Sequence, residues 1–276
     1  MYRDILLPCF FGGLHMPALQ AARALAVARN ARLVALAGVS IVAPVPSAWA
    51  YYPAGVYATM HESAEATTLA LVKTIGEQLA HGDGASDVIQ SEQYWLTPAE
   101  QAIAHAYCAD VTVLGIERRF QAHEDRLFAG LMMESGRPLL LVPAQSTADS
   151  FRRILVAWKP SREAARALHD ALPVLEQAES VDLLMVEGSF RSPPMHNAGG
   201  AEIALHLRHH GIEVNPVRRN DAGTSTGLAI VDYAKEMRAD MIVVGGYGRS
   251  RASEIVFGGV TQTLLRHATT PVLFSH

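Results

Sequence analysis

Two kinds of hydrophobic pattern alternate along this chain. Short runs of consecutive apolar residues predict strands buried on both faces, and Ala- and Leu-rich stretches between them predict the helices that cover those faces. The runs form two matching sets. Tyr2-Arg3-Asp4-Ile5-Leu6-Leu7 is echoed by Phe151-Arg152-Arg153-Ile154-Leu155-Val156, an aromatic and a basic residue leading into an apolar run. A helical stretch follows each, ALQAARALAVARN from Ala18 and REAARALHDALPVLEQ from Arg162, with AARA in common. Arg32–Ala37 then matches Val181–Val186, Ala109–Gly115 matches Ala239–Gly245 through a shared Ala-Asp, and Arg137–Val142 matches Thr270–Ser275 through a shared proline. The middle run of each set is placed near Val88–Trp95 and Ile212–Val217.

Five strand-type runs separated by helices, occurring twice, make two tandem α/β domains, each with a doubly wound parallel sheet. The expected domains are 1–143 and 151–276, joined by the polar segment Ala144–Ser150. The halves differ most after their second run. There the first carries a proline-rich insert, Ala43–Gly55, with Trp49, Tyr51 and Tyr52, and the second a shorter one, Gly188–Gly200, with Pro193 and Pro194. The aromatics are read as packing on the adjacent helix or the other half, with recognition as the functional alternative.

Composition narrows the partners. With 50% hydrophobic and 18% charged residues among 276, the chain has ample material for two cores. A net charge of -4 offers no positive field for nucleic acid or an anionic membrane. No apolar stretch reaches the ~18 residues of a spanning helix. The opening MYRDILLPCFFGG lacks the basic segment and small-residue cleavage site of a signal peptide, so a cytoplasmic location is expected. Cys9 and Cys108 are expected to be unpaired, buried thiols with no redox role.

The sharpest chemical signal follows the fourth run of the second half: Gly245-Gly246-Tyr247-Gly248-Arg249-Ser250, then Gly258-Gly259-Val260-Thr261. Glycines at a strand's carboxyl end let backbone N–H groups approach a phosphate, and a helix beginning near Gly259 points its positive end the same way. Arg249 adds a charge. Tight-turn geometry is the competing account of the same glycines.

The spacing Gly-x2-Gly-x9-Gly, filled by Gly245, Gly248 and Gly258 and followed by Val260-Thr261 and LLRHATTPVL, resembles the nucleotide-binding signature and terminal strand of the universal stress protein family. The resemblance implies a three-layer, adenine nucleotide alpha hydrolase-like fold with strand order 3-2-1-4-5 in each half. It also implies pairing of the halves through their last strands, an intramolecular pseudo-dimer, with a further homodimer as an added expectation. ATP or a related adenine nucleotide is the implied ligand, with Mg2+ arriving only with the nucleotide. The residues it implies as the binding site are Ala157, Trp158, Lys159, Val186, Val244, Gly245, Gly248, Arg249, Gly258, Gly259, Val260 and Thr261.

The chain departs from the family pattern at two points. Gly259 stands where ATP-binding members carry Ser or Thr, and Val156-Ala157-Trp158-Lys159-Pro160-Ser161 lacks their Asp after the first strand. The first half has drifted further. Ile116-Glu117-Arg118-Arg119 follows Gly115, Gly130-Leu131 replaces the last motif pair, and the first strand ends Pro8-Cys9-Phe10-Phe11. It is read as a degenerate, mainly structural copy.

Weaker constellations are read as surface. Glu202, His206, His209 and His210 share a face of a helix near Gly200–His210, interpreted as solvated, and Glu124-Asp125 beside Arg126 is interpreted as a surface turn. The expected function is that of a non-enzymatic stress-response protein, a sensor or scaffold that binds a nucleotide in its second domain and meets an unidentified protein partner. A ligand-free interaction module with both sites decayed is the alternative, and an enzyme of the wider fold group ranks last.

Overall fold

The computed structural model describes residues 2–10, 13–41, 54–82, 84–117, 122–147, 150–187, 199–220, 223–246 and 258–276. The aromatics Trp49, Tyr51 and Tyr52, Pro193 and Pro194, and the motif residues Gly248 and Arg249 lie outside the described residues. The first repeat runs β1 (Asp4–Cys9), α1 (Met16–Arg29), β2 (Arg32–Ala37), α2 (Ala54–Ala80), β3 (Ser86–Gln90), α3 (Pro98–Ala106), β4 (Val111–Ile116), α4 (Ala122–Glu134) and β5 (Leu139–Pro143). The second runs β6 (Arg153–Ala157), α5 (Arg162–Leu175), β7 (Ser180–Glu187), α6 (Gly199–His209), β8 (Asn215–Asn220), α7 (Thr226–Glu236), β9 (Met241–Gly245), α8 (Gly259–His267) and β10 (Val272–Ser275).

Contacts divide the chain into two compact units, Tyr2–Leu114 with Ala122–Arg137, and Pro138–His276 with Gly115–Gln121. In the first unit β2 lies parallel between β1 and β3, and β1 pairs with β4. In the second unit β6 pairs with β7 and β9, β7 with β8 and β9 with β10, all parallel, so the repeat has the strand order 3-2-1-4-5. The other edge of β10 carries β5, antiparallel, with Leu140 opposite Leu273. The last strands of the two repeats thus pair, and this is why β5 falls in the second unit. Ile154, Leu155 and Leu183 are fully buried, as strands covered on both faces require.

The duplicated Ala-Asp has the same task in both repeats. Asp110 Oδ2 accepts the amides of Arg3 and Asp4, at 2.6 and 3.0 Å. Asp240 Oδ2 accepts those of Arg152 and Arg153, at 3.2 and 2.9 Å, and its other oxygen takes the Arg153 guanidinium at 3.0 Å. Each carboxylate therefore pins the start of its repeat's first strand against its fourth.

Helix ends follow local chemistry. Thr97 and Glu100 form a capping box on α3, and Ser161 and Ser225 cap α5 and α7 through the amides of Ala164 and Leu228. After α6, Gly211 at φ +76° ends the helix, and Ile212 donates back to the Leu207 carbonyl. Ile212 is 3% exposed as the hydrophobic closure of that cap, so the strand placed at Ile212–Val217 begins only at Asn215. The other middle strand is shifted in the opposite direction. It ends at Gln90, because Tyr94 turns in to pack on Ile41 and Ala64 rather than extending the sheet.

Three further expectations need correction. Cys9 is buried but Cys108 is exposed, since it follows the end of α3 rather than opening β4. Glu124 and Asp125 sit in the first turn of α4, not in a turn, where the helix dipole favours acidic side chains. Gly130 also lies inside α4, and a Cβ there would stand 3.1 Å from Ala99 Cβ on α3. It is a packing glycine. Counting back from Pro138 and Pro271, Gly130 is the counterpart of Thr263, and Thr263 meets Gly227 on α7 in the same way. Each repeat thus has one glycine at its last helix–helix crossing, on opposite partners.

Candidate ligand-binding cleft

At the carboxyl ends of β6, β7 and β9 the second unit opens into a cleft of about 250 Å3, walled by Ala157, Trp158, Lys159, Ala164, Leu184, Val186, Thr226, Ile230, Val244, Gly245 and Val260. Parallel α/β sheets hold ligands at this end because the strands splay there and the following helices point their N-termini inward. The walls are mostly aliphatic, a surface for a flat ring. Polar character comes from Lys159, Thr226 and Trp158. Ala157, Trp158, Lys159, Val186, Val244, Gly245 and Val260, all singled out in the sequence, are brought together here. Ala164, Leu184, Thr226 and Ile230 carry no signal in the sequence, since an ordinary residue of a core strand or a helix's first turns has no chemical mark of its own.

The remaining described motif residues lie at the start of α8. Gly258 is its N-cap, at φ −59° and ψ 151°, with no side-chain cap hydrogen bond, so the first-turn amides lack the partner that Ser161 and Ser225 give α5 and α7. A Cβ on Gly258 or Gly259 would meet nothing within 4 Å. Thr261 is 3% exposed and turned into the protein, away from the open side.

Gly245 has a different reason to be glycine. A Cβ there would come within 2.5 Å of the Ala164 amide and the Glu163 carbonyl carbon. The first turn of α5 rests directly on the end of β9, and only a missing side chain permits it. Glu163 in that turn is 13% exposed. Burial works to raise its pKa, but hydrogen bonds from its own amide and Ser161, with Arg162 and His276 nearby, outweigh that and hold it below the usual range. Beside it the Trp158 amide donates to the Leu184 carbonyl at 2.8 Å, fixing the β6 end of the wall.

The first repeat fills the corresponding place with its own side chains. By strand register Phe10 is the counterpart of Lys159 and Gly38 that of Val186. Lys159 is exposed, whereas Phe10 is 6% exposed and its ring lies over Gly38, where an added Cβ would collide with Phe10 Cε1 and stand 2.8 Å from Gln101 Oε1. Gln101 Nε2 donates to the carbonyls of Val39 and Leu96, tying the loops after β2 and β3 across the top.

The universal stress protein family model matches residues 150–276. Over the whole chain the fold is similar to a universal stress protein from Archaeoglobus fulgidus DSM 4304, at 15% identity and TM-score 0.73, covering 99% of this chain and 97% of the other. It is also similar to a putative universal stress protein from Pseudomonas aeruginosa UCBPP-PA14, at 14% identity and TM-score 0.59, covering 99% and 93%. A comparison with curated proteins finds no match. The match to the universal stress protein family thus covers the second repeat, residues 150–276.

Proposed function

We propose that the second domain binds ATP or a related adenine nucleotide in the cleft between β6, β7 and β9, and that the chain acts as a stress-response sensor or scaffold without turning the ligand over. The observation that carries this reading is the meeting of an aliphatic, ring-sized cleft with a helix whose N-terminus is capped only by glycine. The ring would lie against Leu184, Val186 and Val244. The phosphates would meet the first-turn amides of α8, with Mg2+ arriving on the nucleotide. Among the described residues no helix is long and apolar enough to cross a membrane.

Calorimetry with ATP, ADP and AMP, with and without Mg2+, tests it. Saturable binding is expected, lost in Gly248→Val with an unchanged circular dichroism spectrum. Gly259→Ser, whose side chain enters open space, places a hydroxyl at the α8 N-terminus and is expected to tighten binding by about tenfold or more, the worth of one charge-assisted hydrogen bond. Lys159→Asp should shift the preference among the nucleotides. Binding that ignores all three variants would refute the site.

One observation favours a second reading, a ligand-free interaction module. Packing of α5 alone accounts for Gly245, so the first glycine of the motif is required whether or not a phosphate binds. Absence of any nucleotide binding to the intact chain would decide for it.

A further inference from the structure

Outside the cleft, α5 and α6 bring three histidines together. His206 on α6 and His210 just beyond its end are one helical turn apart, with ring centroids 4.9 Å from each other. His169, far earlier in the chain on α5, joins them at 5.4 Å from His206 and 6.5 Å from His210. Helix periodicity places His206 and His210 on one face, but only the packing of α5 beside α6 supplies the third ring.

We propose that His169, His206 and His210 form a surface site for a divalent first-row transition metal of the Zn2+ type, with water completing the coordination. Three imidazoles on one tetrahedral ion, with metal–nitrogen bonds of about 2 Å, place their ring centroids about 5 Å apart. Two of the three separations already stand near that value. Among the described residues no group of three His, Cys, Asp or Glu side chains stands placed to hold a metal ion, so the site is empty and the three rings must draw together to bind one. The movement needed is a shift of the His169 or His210 ring by about 1.5 Å, and both side chains are exposed and free of a packed core.

The chemistry of the set selects the ion. Imidazole nitrogen suits Zn2+, Co2+, Ni2+ and Cu2+, whereas Ca2+ and Mg2+ require oxygen ligands. A metal takes the neutral ring, so binding strengthens as pH rises through the range in which histidines lose their protons. The ion would also sit at the carboxyl end of α6, the negative end of the helix dipole.

Titration of the intact, tag-free chain with Zn2+ by calorimetry, and with Co2+ by visible absorption, tests the site. One saturable equivalent is expected. His169→Ala and His206→Ala should each weaken it by at least about tenfold, the lower bound seen when only an outer partner of a ligand is lost. Both variants should unfold like the metal-free parent, while His81→Ala, an exposed histidine elsewhere, should bind as the parent does. No saturable binding, or full affinity in His169→Ala, would overturn the proposal. Equal loss in His81→Ala would overturn it as well.

Discussion

Cys9 and Cys108 carry the same functional group into opposite environments. Cys9 is 4% exposed and burial pushes its thiol up from 9.0 to about 12. Tyr233 rises from 10.0 to about 12, through burial first and then its hydrogen bond to the Asp182 carboxylate and that residue's charge. Both groups hold their protons more tightly folded than unfolded. Their contribution is therefore fully present below about pH 9 and lost as pH climbs toward 12. Urea denaturation between pH 8 and 11 should show falling stability, with a shallower fall in Cys9→Ala. A thiol reagent at pH 8 should modify Cys108 in the native protein and Cys9 only after unfolding; rapid native labelling of both would contradict the burial of β1. The two thiols look alike in sequence because each borders an apolar run, and only the end of α3 at Ala106 decides which is outside.

Elements show how a duplicated fold diverges. The pinning aspartates were visible as repeated Ala-Asp pairs, but their task of holding the first strand against the fourth required the sheet. The helix-crossing glycines were legible as glycines and misleading as a motif, since Gly130 serves the α3–α4 contact. The cleft of the first repeat is the clearest case. Phe10 reads as one more residue of an apolar run, and nothing local distinguishes a strand residue from a plug. Phe10→Ala should cost about 3 kcal/mol or more in chemical denaturation, as for other buried phenylalanines, because the ring is 6% exposed and fills the space over Gly38. A loss under about 1 kcal/mol would mean that the site collapses or was never tightly filled.

For the whole molecule the pairing of β5 with β10 is decisive. Both strands are short and almost wholly apolar, and an uncovered edge of this kind templates another strand. A segment limited to 151–276 lacks β5 and should self-associate at micromolar concentration in analytical ultracentrifugation; a monodisperse monomer would show that the edge does not need its partner. By itself the sequence determined the duplication, the α/β class, most strand positions and seven of the eleven residues that line the cleft, because apolar runs, caps and glycines are local signals read at fixed spacing. It did not determine which glycines serve packing and which face open space, that Phe10 fills its own repeat's cleft, or that His169 meets His206 and His210. Those depend on which elements lie side by side, and the distances that decide them separate residues far apart in the chain.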